Sequence, residues 1–344
     1  MAKIDALDRK ILALLDGDAR MSMSDIARKV RHGRDIVDYR VQRMMREEMI
    51  TGFRALIDPS ALGFGMFKTY FKLQKRSGEI ERFRKALSKS PHVSCYAEAI
   101  GHWDLIANVL AENAHQFAAV LDDLCAPMQE SIVDTEFAAV RRYRALGRSH
   151  FSATVWRTRP EFVSCAQRSA TEIDQLDSKI ILLLGANARI SITDLADNLA
   201  VHPMTVGRRI ERLEREKVII GYRASIKQAA VQKEVYKILV ERNTFSRPKI
   251  EALITAVGRE SAVVACIEHL GPYHLELNME TSSLEECEET LARLLVNHRE
   301  VLSRQTIIRM KREGFNPFRA LSMSSNRKIG RDAVLERAFA ANEI

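Results

Sequence analysis

Two stretches of this chain carry residue types suited to gripping a polyanion, and they carry them at matching positions. The first holds Arg34, Tyr39, Arg40 and Arg43, and the second holds His202, Thr205, Arg208, Arg209 and Arg212. At 3.6 residues per turn, Val206, Ile210 and Leu213 form an apolar stripe that leaves Thr205, Arg208, Arg209 and Arg212 together on another face. In the first stretch Val37, Val41 and Met44 form the stripe, and the exposed set is Ile36, Tyr39, Arg40 and Arg43. Guanidinium groups grip phosphate oxygens or fork onto guanine, and a helix is the element that fits the major groove. Both faces therefore suit double-stranded DNA. The competing use of such arginines is a solvated helix face paired with Glu47, Glu211 or Glu214. The second stretch is the stronger expected reader, because Pro203 suits the first helical position whereas Asp35 and Asp38 of the first stretch would repel phosphate. Gly207 inside the second helix should cost about 0.5–1 kcal/mol relative to alanine.

These helices must be held by a fold, and the fold is written twice. Residues 4 to 57 recur at 173 to 226, a shift of 173 − 4 = 169 positions. In each copy an aspartate caps a short helix (Asp5, Asp174), and a Ser/Asp pair three residues apart (Ser22/Asp25, Ser191/Asp194) opens a second. After a turn, the arginine-bearing helix follows, so each copy reads as a trihelical helix-turn-helix. A β-prone stretch (50–57, 219–226) comes next, and then the order strand, helix, strand, strand, helix, strand: 66–75, 78–90, 92–99, 104–111, 113–127 and 131–141 in one copy, 234–241, 248–257, 262–269, 273–279, 283–297 and 301–311 in the other. The expected fold is α+β, two repeats of a winged, trihelical helix-turn-helix followed by a ferredoxin-like βαββαβ domain. Its expected divisions are 1–62, 63–147, a linker 148–170, 171–231, 232–312 and a tail 313–344. A four-stranded sheet with helices on one face leaves the other face apolar, so the two copies should meet within the chain as a pseudo-dimer, or between chains as a homo-oligomer.

Composition narrows the class further. A net charge of +8 keeps a polyanionic partner in play without requiring one. The five cysteines, Cys95, Cys125, Cys165, Cys266 and Cys287, are scattered with no CxxC spacing, and no metal site, cofactor or catalytic motif (GxSxG, phosphate loop, paired carboxylates) is evident. The charged N-terminus and the absence of any apolar run near 18 residues predict a soluble, cytoplasmic protein with no membrane contact. In the linker, Phe151, Trp156 and Phe162 predict packing against the folded units; in the tail, a short helix through Ala341 is expected.

The opening I-D-x-L-D-x-K-I-L, the third helix ending R-[VI]-x-R-[ML], the β-strand after it, the βαββαβ order and Gly101-His102-Trp103-Asp104 between the middle strands together resemble the leucine-responsive, or Lrp/AsnC, transcription regulators. The resemblance covers about 310 of 344 residues, once per copy. It implies a DNA-binding regulator whose ferredoxin-like part dimerises and senses a small effector, typically an amino acid. Members usually carry one unit, and this chain carries two. On that pattern Gly101, Trp103 and Asp104 would supply a turn, an apolar wall and a carboxylate for the effector; a plain hairpin turn capped by Asp104 is the simpler reading. The counterpart Gly271-Pro272-Tyr273-His274 replaces the acid with histidine, so the second pocket should have lost its hold on an α-amino group. Two alternatives are an interaction protein with degenerate helix-turn-helices and a fused enzyme. The latter follows from the sirohaem decarboxylases, which resemble the same regulators and use histidine and arginine between two ferredoxin-like domains; His92, His102, His269 and His274 would be its candidates.

Overall fold

The computed structural model describes residues 4–74, 78–152, 161–163, 170–316 and 318–322. Its elements follow the doubled order: α1 (Ala6–Gly17), α2 (Met23–Val30), α3 (Arg34–Arg46), β1 (Ile50–Ile57), β2 (Gly65–Leu73), α4 (Glu79–Lys89), β3 (Val93–Ile100), β4 (Leu105–Ala111), α5 (Ala114–Cys125) and β5 (Ile132–Ala145). A two-residue β6 (Glu161–Phe162) intervenes, and then α6 (Gln175–Ala186), α7 (Ile192–Leu199), α8 (Pro203–Arg215), β7 (Ile219–Ile226), β8 (Glu234–Arg242), α9 (Arg247–Val257), β9 (Val263–Leu270), β10 (Leu275–Thr281), α10 (Leu284–His298) and β11 (Leu302–Phe315) repeat the pattern. The caps stand where their residue types place them. Asp5 and Asp174 each accept the N3 backbone N–H, while Asp8 and Asp177 return a bond to the cap backbone.

The two helix-turn-helix modules share one core and are laced by reciprocal bonds. Strand β1 of the first pairs antiparallel with β7 of the second. Arg20 donates to the Ala188 carbonyl at 2.8 Å, and its counterpart Arg189 donates to the Ala19 carbonyl at 2.6 Å. The Ala19 N–H bonds the Tyr222 carbonyl, and the Ala188 N–H bonds the Phe53 carbonyl. Ile11, Leu12 and Leu15 of α1 and Ile180, Ile181 and Leu184 of α6, all fully buried, lie in that common core.

The two ferredoxin-like units join by their edges rather than stacking face to face. The strand order β2-β4-β3-β11-β8-β10-β9-β5, with β5 returning to β2, closes an eight-stranded antiparallel ring to which β6 is appended. Strands β5 and β11 make this possible, since each pairs along its first half with its own unit (β2 or β8) and along its second half with the other unit (β9 or β3). Both run about four residues past their expected ends, and those extra residues continue a crossing that begins at Ala139 and Arg309. Closure leaves no long free edge. Helices α4 and α5 cover the outer face of one half through Phe71, Phe83, Leu105 and Phe117; α9 and α10 cover the other through Ile250, Leu253, Leu277 and Leu291.

Alternation along the strands sends the remaining side chains inward. Tyr70, Trp103, Ile106, Leu239, Tyr273 and Ile308 form the inner core. Beside them Lys68 and Lys237, which occupy matching positions (237 − 68 = 169), converge on the fully buried Glu276. The first repeat has Ile106 where the second has Glu276 (276 − 106 = 170), so one carboxylate serves both lysines.

A one-sided ionic link ties the helical modules to the ring. Arg148, just past β5, donates to Asp16 of α1 at 2.6 Å and to Glu280 of β10 at 2.9 Å, and Arg223 of β7 donates to the same Asp16 at 2.7 Å. Burial opposes the Asp16 charge, but Arg223 and Arg148 hold its carboxyl below the usual range. The second repeat has Gly185 at this place (185 − 16 = 169). Phe151 is buried in the helical core and Phe162 stacks on Tyr143 with ring centroids 5.2 Å apart, whereas Trp156, Cys165 and the tail beyond residue 322 lie outside the described residues.

Candidate functional site: a paired nucleic-acid interface

Helices α3 and α8 bury the expected stripes, Val37, Val41 and Met44 in one and Val206, Ile210 and Leu213 in the other. The outward faces differ from expectation. Arg40 bonds Asp5 and reaches Asp8 at 3.1 Å, and Arg43 reaches Asp8 at 2.6 Å. In the second module Arg209 bonds Asp174 at 2.6 Å and Asp177 at 3.1 Å, and Arg212 bonds Asp177. Asp8 and Asp177 are fully buried, and an unpaired buried carboxylate is costly, so these four arginines are committed to holding the third helix against the first. Their bonds within the chain make them part of the scaffold. The physical cause is geometric: a side chain one turn off the apolar stripe faces the capped end of the neighbouring helix rather than solvent.

What remains outward is smaller. In α8 the exposed residues include Met204, Thr205 and Arg208, and His202 caps the helix by accepting the Met204 N–H through Nδ1 at 3.2 Å. In α3 they include Arg34, Asp35, Ile36, Asp38 and Tyr39, with Tyr39 60% exposed. Backbone amides at the start of each helix add partial positive charge. The start of the second helix thus offers a cation, a hydroxyl and an imidazole, with the exposed Glu211 one turn beyond Arg208, and the start of the first sets Arg34 beside two aspartates. Gly207 has only Ile192 of α7 within 4.0 Å of the place a Cβ would occupy, so nothing there demands glycine.

The hairpin between β3 and β4 is a locked turn. Gly101 has φ +136°, and a Cβ there would meet the Ile307 carbonyl oxygen at 3.3 Å. Asp104 accepts the Leu73 backbone N–H at 2.9 Å and pairs with Lys72 at 3.2 Å. Trp103 is fully buried and donates its indole N–H to Tyr273 of the other repeat at 3.1 Å. Carboxylate and indole alike are bonded within the protein, Trp103 to the other repeat and Asp104 to β2 of its own, so the expected effector set of Gly101, Trp103 and Asp104 stands here as a packed turn. At the equivalent hairpin of the second repeat, a cavity is lined by Arg141, Arg242, Glu268, His269 and His274. No local spacing announces it, because its residues come from β5, β8, β9 and the start of β10. Of the enzyme candidates, His269 and His274 reach this cavity, and His92 is turned to the Leu110 carbonyl at 3.1 Å. Among the described residues no three His, Cys, Asp or Glu side chains gather as a metal site, and no helix is long and apolar enough to cross a membrane.

Comparison with known proteins bears on both halves of the architecture. The AsnC-type helix-turn-helix domain matches residues 4–45 and again residues 173–214. An uncharacterised helix-turn-helix transcriptional regulator of Pyrococcus abyssi is 30% identical over 114 residues, 33% of this chain and 72% of that protein. The proline dehydrogenase transcriptional activator of Rhodobacter capsulatus is 28% identical over 141 residues, 40% of this chain and 90% of that protein, the share expected of a one-unit relative. Among solved structures, the sirohaem decarboxylase NirDL superposes with a TM-score of 0.60 over 98% of this chain and 97% of its own, at 13% identity. At that identity the likeness shows a common two-unit fold and nothing of the chemistry.

Proposed function

The chain belongs to the family of AsnC-type helix-turn-helix transcriptional regulators, and we propose that it acts as a regulator dimer condensed into one chain, binding duplex DNA with its two third helices as a joined pair and responding to a small effector held in the strand ring. The observation that carries this reading is the reciprocal lacing of the two modules by β1 with β7 and by Arg20 and Arg189. A pair fixed in this way meets two half-sites about 34 Å apart, one helical turn, or a multiple of that spacing. The stronger reader is α8, through Thr205, Arg208 and His202; α3 contributes Arg34 and Tyr39 against the repulsion of Asp35 and Asp38.

The test is a binding titration at fixed salt on sites selected from fragmented genomic DNA. Arg208→Ala should weaken binding by about 1–3 kcal/mol if it reads a base. Arg209→Ala should instead lower the folding stability of the helical module. An Arg208→Ala variant that binds as tightly as the unaltered chain would reject the assignment.

A further inference from the structure

The two hairpin regions of the ring descend from one design and now balance their charges differently. At the first repeat's hairpin two lysines are answered by acids. Lys72 meets Asp104 at 3.2 Å, and Lys311 of β11 meets Glu98 at 2.6 Å. The corresponding positions around the second repeat's hairpin follow from the repeat shift: Arg141, reaching over on β5 of the first repeat, for Lys311 (311 − 141 = 170), His269 for Ala99 (269 − 99 = 170), His274 for Asp104 (274 − 104 = 170) and Arg242 for Leu73 (242 − 73 = 169). Every one of these differences adds a basic side chain, enlarges one, or removes an acid.

The one acid lining the cavity, Glu268, is already spent: it pairs with Arg144 at 3.0 Å and Arg247 at 2.9 Å. Neither Arg141 nor Arg242 has a carboxylate at salt-bridge distance among the described residues. The Arg242 Nε is buried without a partner, while the flat face of its guanidinium lies 4.3 Å from the Phe245 ring centroid. That stacking fixes the plane and leaves the N–H edge to be used. His269 is only 2% exposed, lines the cavity, and has neither ring nitrogen hydrogen-bonded. His274 accepts the Arg242 backbone N–H through Nδ1 at 3.3 Å, which leaves Nε2 to carry the ring proton as a donor. Buried donors without acceptors are expensive, and two neighbouring guanidiniums without a counter-charge more so.

We propose that this cavity is a binding site for a compact oxoanion, the carboxylate end of a small organic acid or a phosphate group, held between the guanidiniums of Arg141 and Arg242 with the imidazole N–H groups of His269 and His274 as further donors. The inference rests on the regulatory reading above in one respect, that the ligand is the effector; the site itself does not depend on DNA binding. A free α-amino group is not required, and beside two arginines it is disfavoured. The second repeat's hairpin, which has lost its acid, is then the sensing end of the ring, completed by Arg141 from the first repeat, and the first repeat's hairpin is the locking end.

Calorimetric titration of the full chain without DNA tests this, with succinate, inorganic phosphate and leucine as separate probes. One saturable site per chain for succinate or phosphate is expected, with the tighter of the two identifying the source of the oxoanion, and leucine should bind at least tenfold more weakly. Arg141→Gln and His269→Gln, each checked by circular dichroism and melting, should weaken the anion at least tenfold, while Asp104→Asn leaves it unchanged. No saturable heat with either anion, leucine binding best, or unaltered affinity in a folded Arg141→Gln variant would overturn the site. Whether the anion then changes DNA affinity is read in a separate titration, so loss of DNA binding and loss of the anion site are distinguishable.

Discussion

The first and second repeats share an element order and differ in where they put charge. In the helical modules the carboxylates that pin the third helix are duplicated without change, Asp5 and Asp8 against Asp174 and Asp177. The outward faces have drifted apart, with Asp35 and Asp38 set against a face that keeps Arg208 and Thr205. In the ring the contrast runs deeper, since Ile106 faces Glu276, Ala99 faces His269 and Asp104 faces His274. The aspartate anchors of the third helix have been kept in both copies, whereas the buried charges of the ring and of its link to the helical modules stand in one copy only. A homodimer cannot make that separation, because any substitution appears on both sides at once; a fused pair can give one side the lock and the other the reading.

The comparison is broken most severely at the shared carboxylate. Glu276→Ile would give the second repeat the first repeat's residue and leave Lys68 and Lys237 buried with no counter-charge. Removal of one partner from a buried pair typically costs about 3–5 kcal/mol, and a shift of the denaturation midpoint of that size is expected. Burial already pushes the Lys68 amine down to about 8 with Glu276 in place. A change below about 1 kcal/mol would mean that the lysines reach water and that the ring is not closed.

The second test uses pH. Burial pushes His269 down to about 3; Glu276 opposes that, and Lys68, Lys237 and His274 reinforce it. The folded pKa lies below the unfolded value of about 6.5, so between those limits the unfolded chain binds a proton that the folded chain refuses. This group's contribution to stability is therefore full above about pH 6.5 and falls as pH drops towards 3, by up to about 1.4 kcal/mol per pH unit. His269→Gln should flatten acid destabilisation between pH 6 and 4, whereas altering the first repeat's counterpart, Ala99→Gly, should leave the slope as it was. An identical slope in His269→Gln would show that the imidazole is solvated.

Smaller effects sharpen the helical half of the comparison. Asp8→Ala and Asp177→Ala remove the same anchor from the two modules and should cost about equally, on the order of 2 kcal/mol, since the partner arginines are partly exposed and water screens them. Unequal costs measured by urea denaturation would show that one module relies on its neighbour. Gly207→Ala should stabilise α8 by about 0.5–1 kcal/mol, because the added methyl meets only Ile192 at ordinary contact distance. A loss of stability there would locate a packing demand on glycine.

The element order was legible because it rests on local periodicity and on caps: Asp5, Ser22, Asp174 and Ser191 each cap where their type and spacing place them. The last four residues of β5 and β11 were not, since their pairing partners lie in the other repeat and no local pattern reports them. Ring closure follows from those residues and was hidden with them. The commitment of Arg40, Arg43, Arg209 and Arg212 had a readable signal, an aspartate pair three apart followed 35 residues later by an arginine pair three apart, present in both copies. Helical-wheel reasoning places such arginines on a face but does not say what stands opposite that face. The basic cavity joins Arg141 to Arg242, His269 and His274, which β8, β9 and β10 already gather within the second repeat, and the register of β5 on β9 makes that junction.

The central claim is that one chain carries a joined pair of readers. Footprinting of a selected site, titrated against a known concentration of full-length chain at fixed salt, measures it directly. One chain per site protecting two half-sites, about 34 Å or a multiple apart, is the predicted result. Protection of a single half-site at saturation, or a requirement for two chains to cover two half-sites, would contradict it.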